Sequence, residues 1–542
     1  MNDMFFALVL CMEIASACLL AGKLLIHYFQ LESYQFPGYF RTIRRNLLKS
    51  VLPGFSLCIL LIAAVLLAAG VFHLQGWLLL VFAGVILIPG GYLIGRLFSE
   101  KKAKKALAYT PRIKRFYCVS FIVFTLMLFL LAQAVHSNEI LNTQNRIITA
   151  AILFFPMLLP VWIAVGGLLA WPVEKAISEM YFRDAQRILR ERNDLIRIGI
   201  TGSWGKTSVK FILGTILEEK YHTLVTPASF NTPMGVTKVI RTRLEPSHRV
   251  FIAEMGARHV GDIKEMCRLV HPQTGVITSV GPQHLDTFKT TERVAKTKFE
   301  LIESLPADGS AYFADDQDIC RQLYQKTSVH KVISGLDSQY DDVWAEDITF
   351  SPEGSSFLLC REGERIHCHT QLLGELNIRN ILLSASVAME MGLSLAQTAR
   401  GISRIKPIEH RLQLIRHPGG IAVIDDAFNS NIQGAKQAFQ VLKQFPPKRI
   451  IVTPGMVELG EKEYDMNRQF GEAMADCCDI AILVGKKRSE AIIEGLKNKG
   501  VSSDSVLVVA NLDEATVKLR EIGAPGDTVL FENDLPDNYT EA

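Results

Sequence analysis

Five runs of apolar residues open the chain: Phe5–Leu25, Val51–Phe72, Trp77–Gly95, Phe116–Val135 and Ile147–Trp171. Each is close to the roughly 20 residues that a helix needs to cross the hydrocarbon of a bilayer. Past Trp171-Pro172 the pattern changes. The stretch Glu174–Asn193 interleaves Ile177, Met180, Tyr181, Ile188 and Leu189 with many charges, as an amphipathic helix on a membrane surface or a domain face does. From Leu195 onward, short β-branched runs alternate with helical stretches: Arg197–Thr201, Thr223–Thr226, Val250–Glu254 and Val276–Ser279, then Ile421–Ile424, Arg449–Val452, Ile480–Val484, Val506–Val509 and Thr528–Phe531. That alternation predicts parallel sheets covered by helices. Trp344–Thr370 reads instead as antiparallel strands with a hairpin turn at Glu362-Gly363-Glu364, and Ile405-Lys406-Pro407 marks a break between two α/β domains. The expected organisation is a transmembrane helical domain over 1–172, an amphipathic linker helix over 173–195, a central α/β domain over 196–407 and a C-terminal α/β domain over 408–542.

Composition supports a mixed chain. At 542 residues the length exceeds one hydrophobic core and suggests about three or four folding units. With 49% hydrophobic and 21% charged residues, the chain is too apolar for a wholly soluble protein and too charged for one lying wholly in lipid. The net charge of +3 hides an asymmetry: up to Pro172 fourteen Lys and Arg face five Asp and Glu, a net +9, which leaves −6 for the rest. A mildly acidic soluble part argues against nucleic acid as a partner and leaves the lipid bilayer as the partner of the basic half. The cations lie in two connectors, Arg41, Arg44, Arg45 and Lys49 in one, and Arg96, Lys101, Lys102, Lys104, Lys105, Arg112, Lys114 and Arg115 in the other. The opposite connectors hold only Arg146. The positive-inside rule then gives a multi-pass protein of the cytoplasmic membrane, its N-terminus outside and its α/β domains in the cytoplasm. A cleaved signal peptide is not expected, since no basic stretch precedes the first run and four more follow.

Several features carry less. Ten cysteines are scattered without a CxxC pair, so no disulfide framework is expected. Cys360, His367, Cys368 and His369 are close in sequence, but alternation along a strand points Cys368 away from both histidines, and an ordinary hairpin is the better reading. Glu13 is an acidic residue deep in an apolar run, with a helix-to-helix hydrogen bond and a functional role both open. Pro156 and Pro160 predict a kink.

The strongest local motif is GITGSWGKTS, Gly199–Ser208, which follows an alternating strand and opens a helix over Val209–Lys220. That context predicts a phosphate-binding loop. Gly199, Gly202 and Gly205 let backbone amides turn toward phosphate oxygens, Lys206 supplies a charge at the β and γ phosphates, the Thr207 hydroxyl can ligate magnesium, and Ser208 completes the loop.

TGxxGKTS resembles the way the Mur ligase family writes this loop, and the later segments resemble that family's other motifs in order. Ser229-Phe230-Asn231-Thr232-Pro233-Met234-Gly235 is similar to its Asn-containing loop, and Phe251–Ala257 to the strand that carries a magnesium-binding Glu, here Glu254. Val280–Leu285 resembles the segment with a metal-binding His, placing His284 there, and Ala295–Glu303 the lysine segment, placing Lys298. Gly374–Asn380 resembles the adenine-binding segment with Asn377 and Asn380. Pro407–Leu412 is similar to the interdomain motif, with Arg411 toward the γ-phosphate, and Val423–Asn431 to the C-terminal segment, with Asp426 near ribose or phosphate. The chain departs from the family at Leu376, where a His is usual, at His410, where a Gly usually precedes the Arg, and at Phe531–Pro536, where the branch that adds D-alanyl-D-alanine carries Lys-Gly-Ser.

The resemblance, nearest to that branch through TGSxGKTSVK, Glu-Met-Gly-Ala and Gly455–Gly460, implies a fold and a chemistry. The fold is a five-helix transmembrane bundle, then an α/β P-loop ATPase-like central domain and an α/β Rossmann-like C-terminal domain. The chemistry is ATP-dependent joining of a carboxylate to an amine through an acyl phosphate, on a cell-wall, muropeptide-like precursor. It implies ATP held by Gly202, Gly205, Lys206, Thr207, Ser208, Asn231, Asn377, Asn380, Arg411 and Asp426. It implies two Mg2+ on Thr207, Glu254, His284 and Lys298, with Lys298 carbamylated, and Lys206, His284, Lys298 and Arg411 as the catalytic set. Two other readings stand beside it: a membrane ligase that extends an amino-acid polymer or modifies a lipid-linked precursor, and a nucleotide-sensing membrane protein without ligation.

Overall fold

The computed structural model describes residues 2–72, 74, 76–99, 106–136, 143–227, 230–283, 285–416, 419–427, 432–457, 459 and 462–534. The chain forms two compact units, the first ending at Glu179 and the second beginning at Met180.

Among the described residues, five helices are long and apolar enough to cross a membrane: Met4–Ala21, Leu47–Leu66, Trp77–Phe98 and Pro111–Ala134 in the first unit, and Ile147–Arg190, which runs from the first unit into the second. The last is interrupted by a 3-10 turn, Phe155–Leu158. Prolines 156 and 160 cannot donate to the helical ladder, and side chains take up nearby carbonyls instead: Trp162 Nε1 donates to Phe155 O at 2.8 Å and Tyr39 Oη to Pro160 O at 2.9 Å. Small residues let backbones meet. A Cβ on Gly91 would lie 2.6 Å from Ala17 O, and one on Gly84 would lie 2.9 Å from Glu13 Oε1, which places the Glu13 carboxyl at a helix-to-helix contact. The helix Leu159–Arg190 continues through Pro172, so the amphipathic stretch after Glu174 is its C-terminal half. Phe182, Ala185 and Leu189 on that half are buried with Val236, Ile240 and Phe251, which makes it a domain face there.

The second unit holds two sheets. The first has nine strands in the order β2-β3-β1-β4-β5-β6-β7-β8-β9: β1 Ile196–Thr201, β2 Thr223–Val225, β3 Val250–Glu254, β4 Thr274–Ile277, β5 Ser310–Ala314, β6 His330–Gly335, β7 Val343–Ser351, β8 Gly354–Arg361 and β9 Glu364–Thr370. The first six and the β6–β7 join are parallel, and β7, β8 and β9 are antiparallel. Burial on both faces explains the unbroken apolar strands. In β3, Val250 and Ile252 join one core with Ile200, Val209 and Leu213, while Phe251 and Ala253 join the other with Val239 and Met266. Connections leave β1 toward β2 and β3 on one side and toward β4 on the other, so the end of β1 is the switch point at which open α/β sheets bind ligands.

The second sheet has six strands in the order β10-β11-β15-β12-β13-β14: β10 Gln413–Arg416, β11 Ala422–Asp426, β12 Arg449–Thr453, β13 Ile480–Val484, β14 Val506–Val509 and β15 Thr528–Glu532. Only the β10–β11 pair is antiparallel. The fold class expected from the sequence is the one observed.

The expected hairpin is present, turning at Glu362 and Gly363 with φ of 50° and 84°, the left-handed pair that a two-residue turn requires. Cys368 is buried while His367 and His369 are exposed, and among the described residues no group of three His, Cys, Asp or Glu side chains could hold a metal. All ten cysteines are free.

One buried amide pins the segment after β12. Asn467 Oδ1 accepts from Met456 N at 2.8 Å, and its Nδ2 donates to Met456 O at 3.0 Å and Glu463 O at 2.9 Å. Asn467→Leu leaves those backbone groups unsatisfied in the core. It is expected to destabilise the protein by about 2–5 kcal/mol, read as a lower midpoint in denaturant for the detergent-solubilised chain.

Candidate active site

The loop after β1 is shaped by what cannot be there. A Cβ on Gly202 would come within 2.1 Å of Thr278 Oγ1, and Gly205 combines a φ of 81° with a neighbour, Asn380 Oδ1, 2.9 Å from where its Cβ would stand. Bare backbone therefore leads into the helix Lys206–Leu217, at an N-terminus that favours an anion. Ser203 and Trp204 fix the loop from behind: Ser203 Oγ donates to Gly281 O at 3.0 Å, Trp204 N donates to Ser279 Oγ at 2.8 Å, and Ser279 Oγ donates to Trp204 O at 2.8 Å. Lys206 Nζ curls along the loop, donating to Gly202 O at 2.6 Å and Ser203 O at 3.1 Å.

Glu254, the last residue of β3, is the centre of the site. It is 1% exposed and accepts four contacts from three side chains. Thr207 Oγ1 donates to its two oxygens at 3.2 and 3.1 Å, Lys210 Nζ donates at 2.8 Å and Asn231 Nδ2 at 3.1 Å. The strand register Ile200↔Glu254 holds the start of the loop and this carboxylate side by side. Thr207, Asn231 and Glu254, singled out from the sequence, are thus brought together. Lys210 was not singled out. Its signal was present, since it lies four residues after Lys206 on the same helix face.

The charges are unbalanced. Burial opposes ionisation of Glu254, but Lys210 and Lys206, with hydrogen bonds from Lys210 and Asn231, hold its carboxyl below the usual range. Burial and the Arg411 guanidinium push Lys206 down to about 8 against the pull of Glu254. Lys298, buried on the helix Thr291–Glu303, is pushed well below the ordinary lysine range by burial and then by Lys206, with Asp262, Glu300 and Glu254 opposing. His284 lies outside the described residues.

Of the two asparagines expected at a nucleotide base, Asn380 lies beside Gly205, whereas Asn377 Nδ2 donates to Leu373 O at 2.9 Å, one turn back. Arg411 is flanked by two residues in left-handed backbone, His410 at φ 57° and Leu412 at φ 48°. A Gly before the Arg would adopt that conformation freely; here the His410 ring instead meets Asp425 Oδ2 at 2.7 Å, which secures the turn. Burial lowers Arg411 while Asp426, Glu254 and Glu532 pull it up, so its charge faces carboxylates of both α/β domains. Asp426, at the end of β11, accepts from Leu412 N at 3.2 Å. Glu532, the last residue of β15, was not singled out from the sequence either.

Residues 200–388 match the model of the Mur ligase middle domain, and residues 410–532 match that of the Mur ligase, glutamate ligase domain. The UDP-N-acetylmuramoyl-tripeptide--D-alanyl-D-alanine ligase of Mycobacterium bovis is 30% identical over 364 residues, which cover 62% of this chain and 69% of that protein. In fold, the chain is similar to MurF from Acinetobacter baumannii, with a TM-score of 0.61 and 23% identity over 67% of this chain and 78% of that one. It is also similar to MurF ligase from Thermotoga maritima in complex with ADP, with a TM-score of 0.59 and 23% identity over 66% and 80%.

Two outcomes test this electrostatic picture. Lys210→Met strips Glu254 of its buried partner and is expected to cost about 3–5 kcal/mol in chemical denaturation. Lys206 binds its proton less tightly in the folded chain than in the unfolded one, so its contribution makes stability rise with pH between about 8 and 10.5. That part of the rise should vanish in Lys206→Met when melting temperatures are compared across the window.

Proposed function

The chain belongs to the Mur ligase family, and from that premise we propose that it is an ADP-forming ligase that makes an amide bond on a cell-wall, muropeptide-like precursor at the cytoplasmic face of a membrane. The observation that carries the reading is the gathering of Thr207, Lys210 and Asn231 on Glu254, beside Lys206 and at the switch point of the parallel sheet.

Each residue then has a task. The bare loop at Gly202 and Gly205, with Lys206 and Ser208, cradles the triphosphate. Asn231, Asn377, Asn380 and Asp426 complete the nucleotide site, and Arg411 reaches from the C-terminal domain toward the γ-phosphate. Carboxylate and hydroxyl oxygens from Glu254 and Thr207 suit a hard cation, so these two, with His284 and a carbamylated Lys298, would hold Mg2+. The ions supply charge neutralisation between the triphosphate and the substrate carboxylate. Burial favours the Lys298 modification: a lysine held neutral is the nucleophile that adds to carbon dioxide, giving a carbamate and releasing one proton.

In the reaction, a carboxylate oxygen takes the γ-phosphoryl group of ATP, and ADP leaves. The amine nitrogen then adds to the acyl carbon, the carbon–oxygen bond to phosphate breaks, and the amine proton is lost with the phosphate. The lysines and Arg411 stabilise the negative charge throughout.

Five membrane-length helices and their cationic connectors support a multi-pass, membrane-anchored enzyme with its N-terminus outside. They also favour a second reading of the substrate, a lipid-linked carboxylate. Purified full-length chain, given MgATP, UDP-muramoyl-tripeptide and D-alanyl-D-alanine or a lipid-linked tripeptide, is expected to release phosphate. Lys206→Ala should lower that rate by about 10²-fold or more, and the Lys298 peptide should carry the mass of one added carbon dioxide. No phosphate from the wild type with any carboxylate and amine pair would sink the ligase reading.

A further inference from the structure

At the C-terminal ends of two adjacent parallel strands, two carboxyl groups meet. Asp426 of β11 and Glu532 of β15 are register partners on neighbouring parallel strands, so their side chains leave the same face of the sheet side by side, roughly 5 Å apart at the backbone. Two carboxyl groups this close and shielded from water do not both ionise, because like charges there repel strongly, so one proton stays on the pair. Glu532 is 0% exposed and cannot turn away into water. The residue after it is locked as well: Asn533 N donates to Asp426 O at 3.2 Å, and Asn533 Nδ2 donates to Gly455 O at 2.6 Å. Around the pair stand the Leu412 amide and Arg411 from the segment before β10, and Asp425 from β11, itself engaged by His410. Burial pushes the Asp426 carboxyl up, against Arg411, the Leu412 amide and Glu532. Arg411 in turn faces Glu254 across the two domains.

We propose that Glu532 is a positioning residue of the ligase site: by sharing one proton with Asp426 it keeps the pair at a single negative charge, matched to Arg411, and so holds Arg411 where it meets the phosphates of the nucleotide. The inference rests on the ATP-dependent reading above. When the shared proton is lost, the pair becomes a dianion that draws Arg411 inward and adds a negative charge facing the triphosphate, and nucleotide affinity falls. A glutamine at this position donates to the Asp426 carboxylate with no proton to lose.

The test is calorimetric titration of MgATP into the full-length detergent-solubilised protein between about pH 6 and pH 9. Wild-type affinity should fall with rising pH by up to about tenfold per unit beyond the pair's titration. Glu532→Gln should match the wild type at the acidic end and lose this fall. Glu532→Leu, which can neither donate nor accept, should bind about tenfold more weakly at the acidic end. A Glu532→Gln profile that overlays a binding wild type would overturn the proposal and leave the ATP reading intact. A wild type that binds no MgATP at any pH would overturn both.

Discussion

A carboxylate with almost no solvent at the end of a central strand is the constraint around which the second unit is arranged. Glu254 is 1% exposed, and an uncompensated charge there would cost several kcal/mol. Its compensation comes from two separate places in the chain, Thr207 and Lys210 on the helix after β1 and Asn231 in the loop before the helix Pro233–Arg243, while its own backbone amide donates to Thr226 Oγ1 at 3.1 Å. Satisfying one buried group thus fixes the relative places of the loop, the helix and two strand ends. The same contacts that permit the charge to be buried also define a site.

That site carries more positive than negative charge. Lys206, Lys210 and Arg411 all interact electrostatically with Glu254. All three have their basicity lowered, with burial as the first cause in each case. A cation cluster of this kind is held together by the fold against its own repulsion, and a polyanion relieves it. The chemistry of a triphosphate meeting a carboxylate asks for such an excess, because both reactants are negative and must be brought within bonding distance. Lys206 near pH 8 is then a lysine whose full charge is restored by the ligand it serves.

The sequence made the fold class legible where the period was clean. The five apolar runs and the antiparallel hairpin stand close to where they were read, as do the parallel strands that carry β-branched runs. Three strands escaped: β5 with Ala311 and Ala314, β6 opening on His330 and Lys331, and the four-residue β10, each too short or too mixed to announce a period of two. Of the site residues, those in the glycine-rich loop were legible from their spacing, and Glu254 on β3 from the resemblance to the family. Lys210 and Glu532 were not. Lys210 reads as an ordinary surface lysine until the buried end of β3 faces it, and Glu532 gains its neighbour only through the β11–β15 pairing, which no local pattern encodes.

On the reading proposed above, this arrangement handles phosphate and is indifferent to which acid and which amine are joined. Loop, lysines, Glu254 and Arg411 all address groups that every acyl-phosphate ligation shares. Selection has to come from surfaces that differ between enzymes, and two stand out by chemistry. One is the end of β15, in the segment Phe531–Pro536 where the resemblance implies Lys-Gly-Ser and this chain holds a buried acid, Glu532, and a left-handed asparagine, Asn533 at φ 66°. The other is the helical unit, which lies outside both matched stretches, 200–388 and 410–532. Its apolar helices solve a different solvent problem, with glycines such as Gly91 and Gly95 admitting neighbouring backbone where β-branched residues fill the sheets. About a quarter of the chain lies in helices long and apolar enough to cross a membrane.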